Sequence, residues 1–456
     1  MMGRKDDYQS KLEFIDLNVF VPSNHILRQI NQKIDFSFIY DKMENYYSKL
    51  GRKSLDPVLL FKMLLIGYLF NIDSERELEQ EVNLNIAYRW FLGLDLTDKV
   101  PDHSTFSQNR RRRFKDSTVT QEIFDYIVKL CIVKGIVTGE VVVSDSTHIK
   151  ASAAKGKIEK VVVEKTTSQY LNTLEEEAKK IEKELEEKRL ESGKKKRGRK
   201  PTVSDTETKS VVKTDPDSGL LSRPGKPSGP HYLAHTSIDT ENGIIVDIHP
   251  SAGNLNDCEP FIERLKVIQD KFNLDINCVG ADRGYDTAPI HHGLKTLEIT
   301  GYISPIQYDT AYKTTSHKEF TYNNETDTYT CQNHKELCFT HLSSSNGQYY
   351  KTYSAKTKDC KVCPYREQCF GKTATKRTIS RPIAHELLEG NIQRSKTDTY
   401  KLVQKLRRVW CEGSFGTMKL HHNLYKTYKR GIQKILEQCL YSALALNLKR
   451  MVKVMN

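Results

Sequence analysis

Two short apolar runs decide what kind of sheet this 456-residue chain can build. Gly139–Asp145 (GEVVVSD) and Ile276–Asp282 (INCVGAD) are apolar without alternation, and each ends on an aspartate. That pattern belongs to strands buried on both faces, so the expectation is an α/β fold whose sheet carries helices on either side. Ligands bind at strand carboxyl ends in such sheets. A carboxylate held there is costly unless it is paired or bound to metal. Two of them on adjacent strands suit Mg²⁺ or Mn²⁺, hard ions that take oxygen ligands. Taken alone, an aspartate at a strand end more often caps the next helix or turn.

Residues 1–135 read as helical. Pro57, Val58, Leu59, Leu60, Met63, Leu64, Leu65, Tyr68 and Leu69 make a helix that is apolar nearly all round, hence buried. The run is too short to span a membrane and carries Lys62. The first residues lack a signal-peptide pattern, so the expected location is cytoplasmic, associated with the nucleoid. Ser74 and Glu77 form a capping-box signal. Asn83–Leu92 follows as a short helix ending at Gly93, and the pair is a candidate helix-turn-helix or an ordinary bundle. Asp102 or Ser104 caps a helix that includes Arg110, Arg111, Arg112 and Arg113. Four consecutive arginines cover every side of a helix, so at least one faces solvent, for phosphate contact or mere solvation.

Two segments interrupt the remainder, residues 136–456. In 155–230, Leu171, Leu174, Ala178, Ile181 and Leu185 form a short coiled-coil-like seam, a candidate dimer contact. Lys194–Lys200 (KKKRGRK) and a polar, proline-bearing stretch follow, so the segment is read as an inserted helical arm and linker. Strands resume at Tyr232–Ile238 and Ile244–Ile248, joined by the hairpin signal Asn242-Gly243. A helix over Asp257–Phe272 and a strand Ile299–Ile303 are expected, with closing helices at His385–Lys419, where Gly390 is a candidate break, and at Ile432–Val454. Residues 310–380 form a second insertion rich in cysteine. In a reducing compartment Cys360-x2-Cys363-x5-Cys369, with Cys331 upstream, reads as a four-thiolate structural Zn²⁺ site. Cys338 is a fifth candidate, and cysteines on a loop without metal are the alternative. Cys131, Cys278 and Cys439 lie in apolar stretches and read as core.

The net charge of +13 favours a polyanionic partner. Much of the excess lies between Arg381 and Asn456, where fifteen Lys/Arg face five Asp/Glu. Within that stretch Lys405, Arg408, Glu412 and Lys419 share one helical face at spacings of three, four and seven. An acid flanked by bases on one stripe suits a metal ligand whose neighbours hold phosphates. An exposed Arg408–Glu412 ion pair is the plain alternative.

These motifs resemble those of bacterial insertion-sequence transposases with a DDE core. DSTHIKAS at Asp145 resembles the family's first motif, and ADRGYD at Asp282 its second. Arg408, Glu412 and Lys419 match its R-x3-E-x6-K signature, whereas Lys405 stands where that family has tyrosine. Residues 20–113, with PDHSTFSQNR, resemble its helical N-terminal domain. The resemblance implies an RNase H-like mixed sheet flanked by helices, with Asp145 on the central first strand, Asp282 just after the fourth and Glu412 on a later helix. It further implies catalysis with two Mg²⁺ or Mn²⁺ ions on Asp145, Asp282 and Glu412. The implied partners are double-stranded DNA at transposon ends and target, with a homodimer assembled on DNA. Arg283 is a candidate phosphate contact, and Tyr285 and Ser146 are not required as nucleophiles. Two other readings stay open: a nuclease of the same fold that cuts without joining, and a transposase-derived DNA-binding protein without catalysis.

Overall fold

The computed structural model describes residues 15–456 apart from 49, 51–53, 114–116, 155, 157, 165–168, 192–205, 223–224, 226–227, 307–318 and 346–347. The basic run at 194–200 lies outside the described residues. Among those described, no helix is long and apolar enough to cross a membrane.

The central sheet contains β1 (Val141–Lys150), β2 (Gly229–Asp239), β3 (Ile245–Ala252), β4 (Cys278–Ala281) and β5 (Thr300–Ile303) in the order β3-β2-β1-β4-β5. The first three run antiparallel in sequence, while β4 and β5 run parallel to β1. This is the RNase H-like arrangement. A short strand Gly219–Leu221 pairs antiparallel with the start of β2. The Asn242-Gly243 turn joins β2 to β3, with Gly243 at φ +73° and the Asn242 amide on the Ile136 carbonyl at 2.9 Å. The first strand is longer than its apolar run. It continues five residues past Asp145, because β2 supplies partners as far as Lys150 after β4 has ended.

The helices ahead of the sheet do not form a core of their own. Helix Pro57–Leu69 starts at Asp56, whose carboxylate accepts from Val58 and Leu59, and packs against the long helix Ile432–Met455. Tyr441 stacks on Tyr68, with ring centroids 5.1 Å apart. From the same long helix, Asn447 bonds both backbone groups of Ile245 in β3. One apolar cluster therefore runs from Leu27 to Val452.

Several sequence expectations are corrected. The short helix is Ile86–Leu92, capped by Asn85 one residue after helix Glu75–Leu84 ends. It has no exposed residue, and Arg89 is buried on the carbonyls of Asp95, Leu96 and Asp98. On its outer side Ile86, Ala87 and Trp90 stay partly exposed. The arm helix Gln169–Glu191 buries Leu174 and Ala178 against Ala288, Ile383 and Leu388 of this same chain, so its seam is not open to a second copy. The stretch 385–421 breaks at Ser395–Thr397, not at Gly390. Thr397 there caps the helix Asp398–Arg407 through the Tyr400 amide.

The arm also includes a hairpin, Ile158–Glu164 with Thr206–Val212. The cysteine-rich insertion is a five-stranded antiparallel sheet with its own small core around Tyr329, Leu337 and Tyr353.

Gly243 is the tightest point of the β2–β3 turn. A Cβ there would stand 2.3 Å from the Trp410 ring, in a backbone region that side chains avoid. Gly243→Ala is expected to lower stability by roughly 1–3 kcal/mol, read by denaturant unfolding. An unchanged midpoint would show that the ring moves aside freely.

Candidate active site

The last paired residues of β1 and β4 are Val143 and Gly280. Two residues further along each chain stand Asp145 and Asp282, so the register sets both acids at the same end of adjacent parallel strands. Gly280 is required for what covers them. A Cβ there would meet Val403 at 2.5 Å, so the glycine lets helix Asp398–Arg407 lie directly on β4. Gln404 of that helix donates to the carbonyls of Ala281 (3.0 Å) and Tyr302 (2.7 Å), latching it across the ends of β4 and β5.

The latch turns Arg407 inward, and its guanidinium reaches the Asp145 carboxylate at 2.7 Å. Asp145 also accepts from the Ser146 amide at 2.8 Å. Burial nevertheless raises its pKa to about 6. The Ser146 hydrogen bond opposes that rise and Asp282 adds to it, with smaller effects from Arg407 and Asp257. Asp282 caps the turn Arg283–Tyr285 by accepting from the Gly284 amide at 2.8 Å. Tyr285 is buried, and its hydroxyl is held well above the usual value by burial and by Asp145, Asp257 and Asp282. The Ser146 hydroxyl donates to Asp257 at 2.8 Å. Neither hydroxyl is set up as a nucleophile.

Beyond Arg407 the helix winds through a π-turn, Arg408–Glu412, before continuing as Gly413–His421. The extra residue shifts helical phase by about 100°, so the expected single stripe is broken. Lys405, Arg408 and Glu412 are exposed, whereas Lys419 lines a cleft on the far side of the turn. Cys411 is fully buried, and its thiol is pushed up by burial and then by Asp145, so the turn itself lies against the first acid. Glu412 follows it in sequence. Among the described residues, the one trio of His, Cys, Asp or Glu with ligand atoms all within 4.8 Å is Glu79, Asp102 and His103. That trio is a structural bracket: His103 joins Glu79 at 2.8 Å and receives Arg76 at 3.2 Å, using both ring nitrogens. Asp145, Asp282 and Glu412 stand further apart.

The remaining candidates divide. Arg283 is exposed beside Asp282. Arg110 and Arg111 lie on helix Ser104–Arg112, and Arg112 is exposed. Arg113 is committed elsewhere, stacked on Tyr47 at 4.1 Å and bonded to Asn109. In the cysteine-rich sheet, burial raises the Cys369 thiol against the pull of Arg377, with Cys360, Cys363 and Cys331 adding to the rise. The four proposed thiols thus share one neighbourhood, which fits a thiolate-held ion, although they are not closed to ligand spacing. Cys338 is exposed on the strand Glu336–Ser345.

Sequence reasoning missed Gln404, Arg407 and Asp257. The first two sit three residues apart beside the buried Val403, a spacing that marks an inward face. Asp257 had no signal beyond opening the expected helix; the helix itself starts at Phe261.

Residues 15–112 match the family described as a transposase domain (DUF772), and residues 330–452 match the family described as a transposase DDE domain. The second match spans Cys331 to Lys419 and includes Glu412. No curated protein matches the sequence. Among solved structures the chain is similar to a piggyBac transposase synaptic complex with hairpin DNA, at 10% identity, covering 94% of this chain and 74% of that one, with a TM-score of 0.33. It is also similar to a Mos1 mariner paired-end complex with Mn, at 10% identity, 56% and 60% coverage and a TM-score of 0.17.

A carboxyl raised to about 6 binds a proton in the folded chain that the unfolded chain releases near 3.8. Its contribution to stability is complete below pH 4 and is lost as pH rises through 6. A cation at Asp145 offsets that loss. Mg²⁺ or Mn²⁺ should therefore raise Tm more at pH 7.5 than at pH 5, measured by thermal unfolding. Equal shifts at both values would remove Asp145 from the metal site.

Proposed function

We propose that this chain, which belongs to the transposases that carry a DUF772 domain and a DDE domain, cleaves transposon ends and joins them to target DNA by metal-dependent phosphoryl transfer. The observation that carries the reading is the pairing register that sets Asp145 and Asp282 side by side at the ends of parallel strands, under a helix that delivers Arg407.

Asp145, Asp282 and Glu412 would hold Mg²⁺ or Mn²⁺. Two ions bound there supply activation of the attacking oxygen and stabilisation of the leaving one. The protein's own share is positioning and charge. Arg407 pairs with Asp145 at 2.7 Å and would flank a scissile phosphate held at the ions. Arg283, Lys405, Arg408 and Arg112 are exposed cations suited to the DNA backbone, and Lys419 approaches from the cleft. Arg110 and Arg111 share the Arg112 helix. Arg113, stacked on Tyr47, supports that helix instead. End cleavage and strand transfer are both in-line displacements, so one centre serves both, and no covalent protein–DNA intermediate is required. Two ends held together call for two copies, so a homodimer assembled on DNA is part of the proposal.

Asp145→Asn, Asp282→Asn and Glu412→Gln should each reduce Mg²⁺-dependent end cleavage at least 100-fold, on the order of one lost transition-state contact, while duplex affinity stays within a few-fold. Full cleavage by any variant removes that residue from the centre. Strand transfer assayed on the element's own ends separates a transposase from a nuclease that only cuts. Cys331, Cys360, Cys363 and Cys369 are proposed to hold one structural Zn²⁺. Metal analysis of the purified protein should then give about one zinc per chain, lost together with cooperative unfolding of the small sheet in Cys363→Ser. A zinc-free protein would leave the small sheet to its own apolar core.

A further inference from the structure

Helix Pro57–Leu69, the turn after it and the segment 419–429 enclose a cleft of about 430 Å³, a ligand-sized space. Its walls combine three features. Leu64, Ile72 and Leu78 make it apolar. Lys419, Lys426 and Lys429 carry its positive charge; Lys426 pairs with Asp73 at 3.7 Å and lies over one face of Tyr428 at 4.6 Å, and Lys429 pairs with Glu437 at 3.4 Å. Tyr425 and Tyr428 each leave 63% of their surface in water. Exposed aromatic rings usually sit on yielding loops, but these two are mounted on a pinned backbone. The Tyr425 carbonyl accepts from the Lys150 amide at 3.2 Å, and the Thr427 amide donates to the Lys150 carbonyl at 2.9 Å. Gln438 holds the carbonyls of Asn423 and Lys426, and the Asn423 amide holds those of Gly67 and Ile72.

The segment is thereby an extension of β1, which carries the first acid. Lys150 lies five residues beyond Asp145, or about 16 Å along the strand. That length equals about five stacked nucleotides. The interior also bears Asp73 and Glu75. Carboxylates oppose a phosphate in the cleft but accept hydrogen bonds from the edge of a base.

We propose that this cleft binds unpaired DNA beside the cleavage point, with a base stacked on Tyr425 or Tyr428 and the flanking phosphates on Lys419, Lys426 and Lys429. Rigid aromatic faces among lysines are the physical requirement for holding a single strand without reading its sequence. The inference rests on the DNA-cleaving function proposed above and names the form of DNA the site prefers.

The test compares a blunt duplex with the same duplex bearing a five-nucleotide single-stranded tail, by fluorescence anisotropy, in the full-length protein. The tail should tighten binding. Tyr425→Ala or Tyr428→Ala should erase roughly 5- to 150-fold of that gain, the worth of one stacked base, and leave blunt-duplex affinity unchanged. Tyr425→Phe keeps a ring and should retain the gain. Equal affinity of the wild-type protein for both DNAs overturns the proposal, as does a loss in the alanine variants that is the same for both. Failure to bind even the blunt duplex overturns the transposase reading itself.

Discussion

Burial of the Asp145 carboxylate organises the middle of this protein. A charge placed on the central strand of a sheet, with β2 on one side and helix Asp398–Arg407 above, loses most of its water. The neighbouring acids add to its discomfort, and the Arg407 guanidinium and one amide answer only part of it. The surrounding design follows from that imbalance. Gly280 has no side chain so that the helix can approach, Gln404 fixes the height of that helix, and the π-turn beyond it brings Cys411 against the acid. A centre left short of positive charge has the electrostatics that suit a cation.

Features governed by local pattern were legible in the sequence. The two buried strands, their terminal acids, the Asn-Gly hairpin and the extra cysteine-rich unit follow from hydrophobic runs and turn chemistry, which depend on neighbours in the chain. The glutamate's surroundings were not legible in the same way. Helical spacing assumes one periodicity throughout, and a single additional residue in the turn Arg408–Glu412 defeats it. Arg408 carried the motif, yet its neighbour Arg407 reaches the acid. The coiled-coil seam failed for a related reason. It was judged on the face it presents, and a face is defined by what packs on it. Leu174 and Ala178 meet partners far away in the sequence.

The two insertions have different relations to the sheet. The arm helix packs on Ala288, which opens helix Ala288–Thr296 after the second acid, and on Leu388, so it braces the part of the chain that holds both acids. The cysteine-rich sheet has a private core of a few aromatic residues, too small to be robust without a staple. That difference gives a physical reason for thiols to gather in one insertion and not in the other.

The helices before the sheet depend on the helix that closes it. Tyr68 and Phe61 rest on Tyr441, and His422 and Lys449 bond the Tyr68 and Leu69 carbonyls. More than 350 residues separate Leu69 from Ile432. At ribosomal speeds of about 5–20 residues per second, the apolar faces of the early helices wait for tens of seconds before their partner emerges. During that interval they are exposed to chaperones, proteases and one another. Folding of the first third of the chain is therefore tied to completion of its last helix.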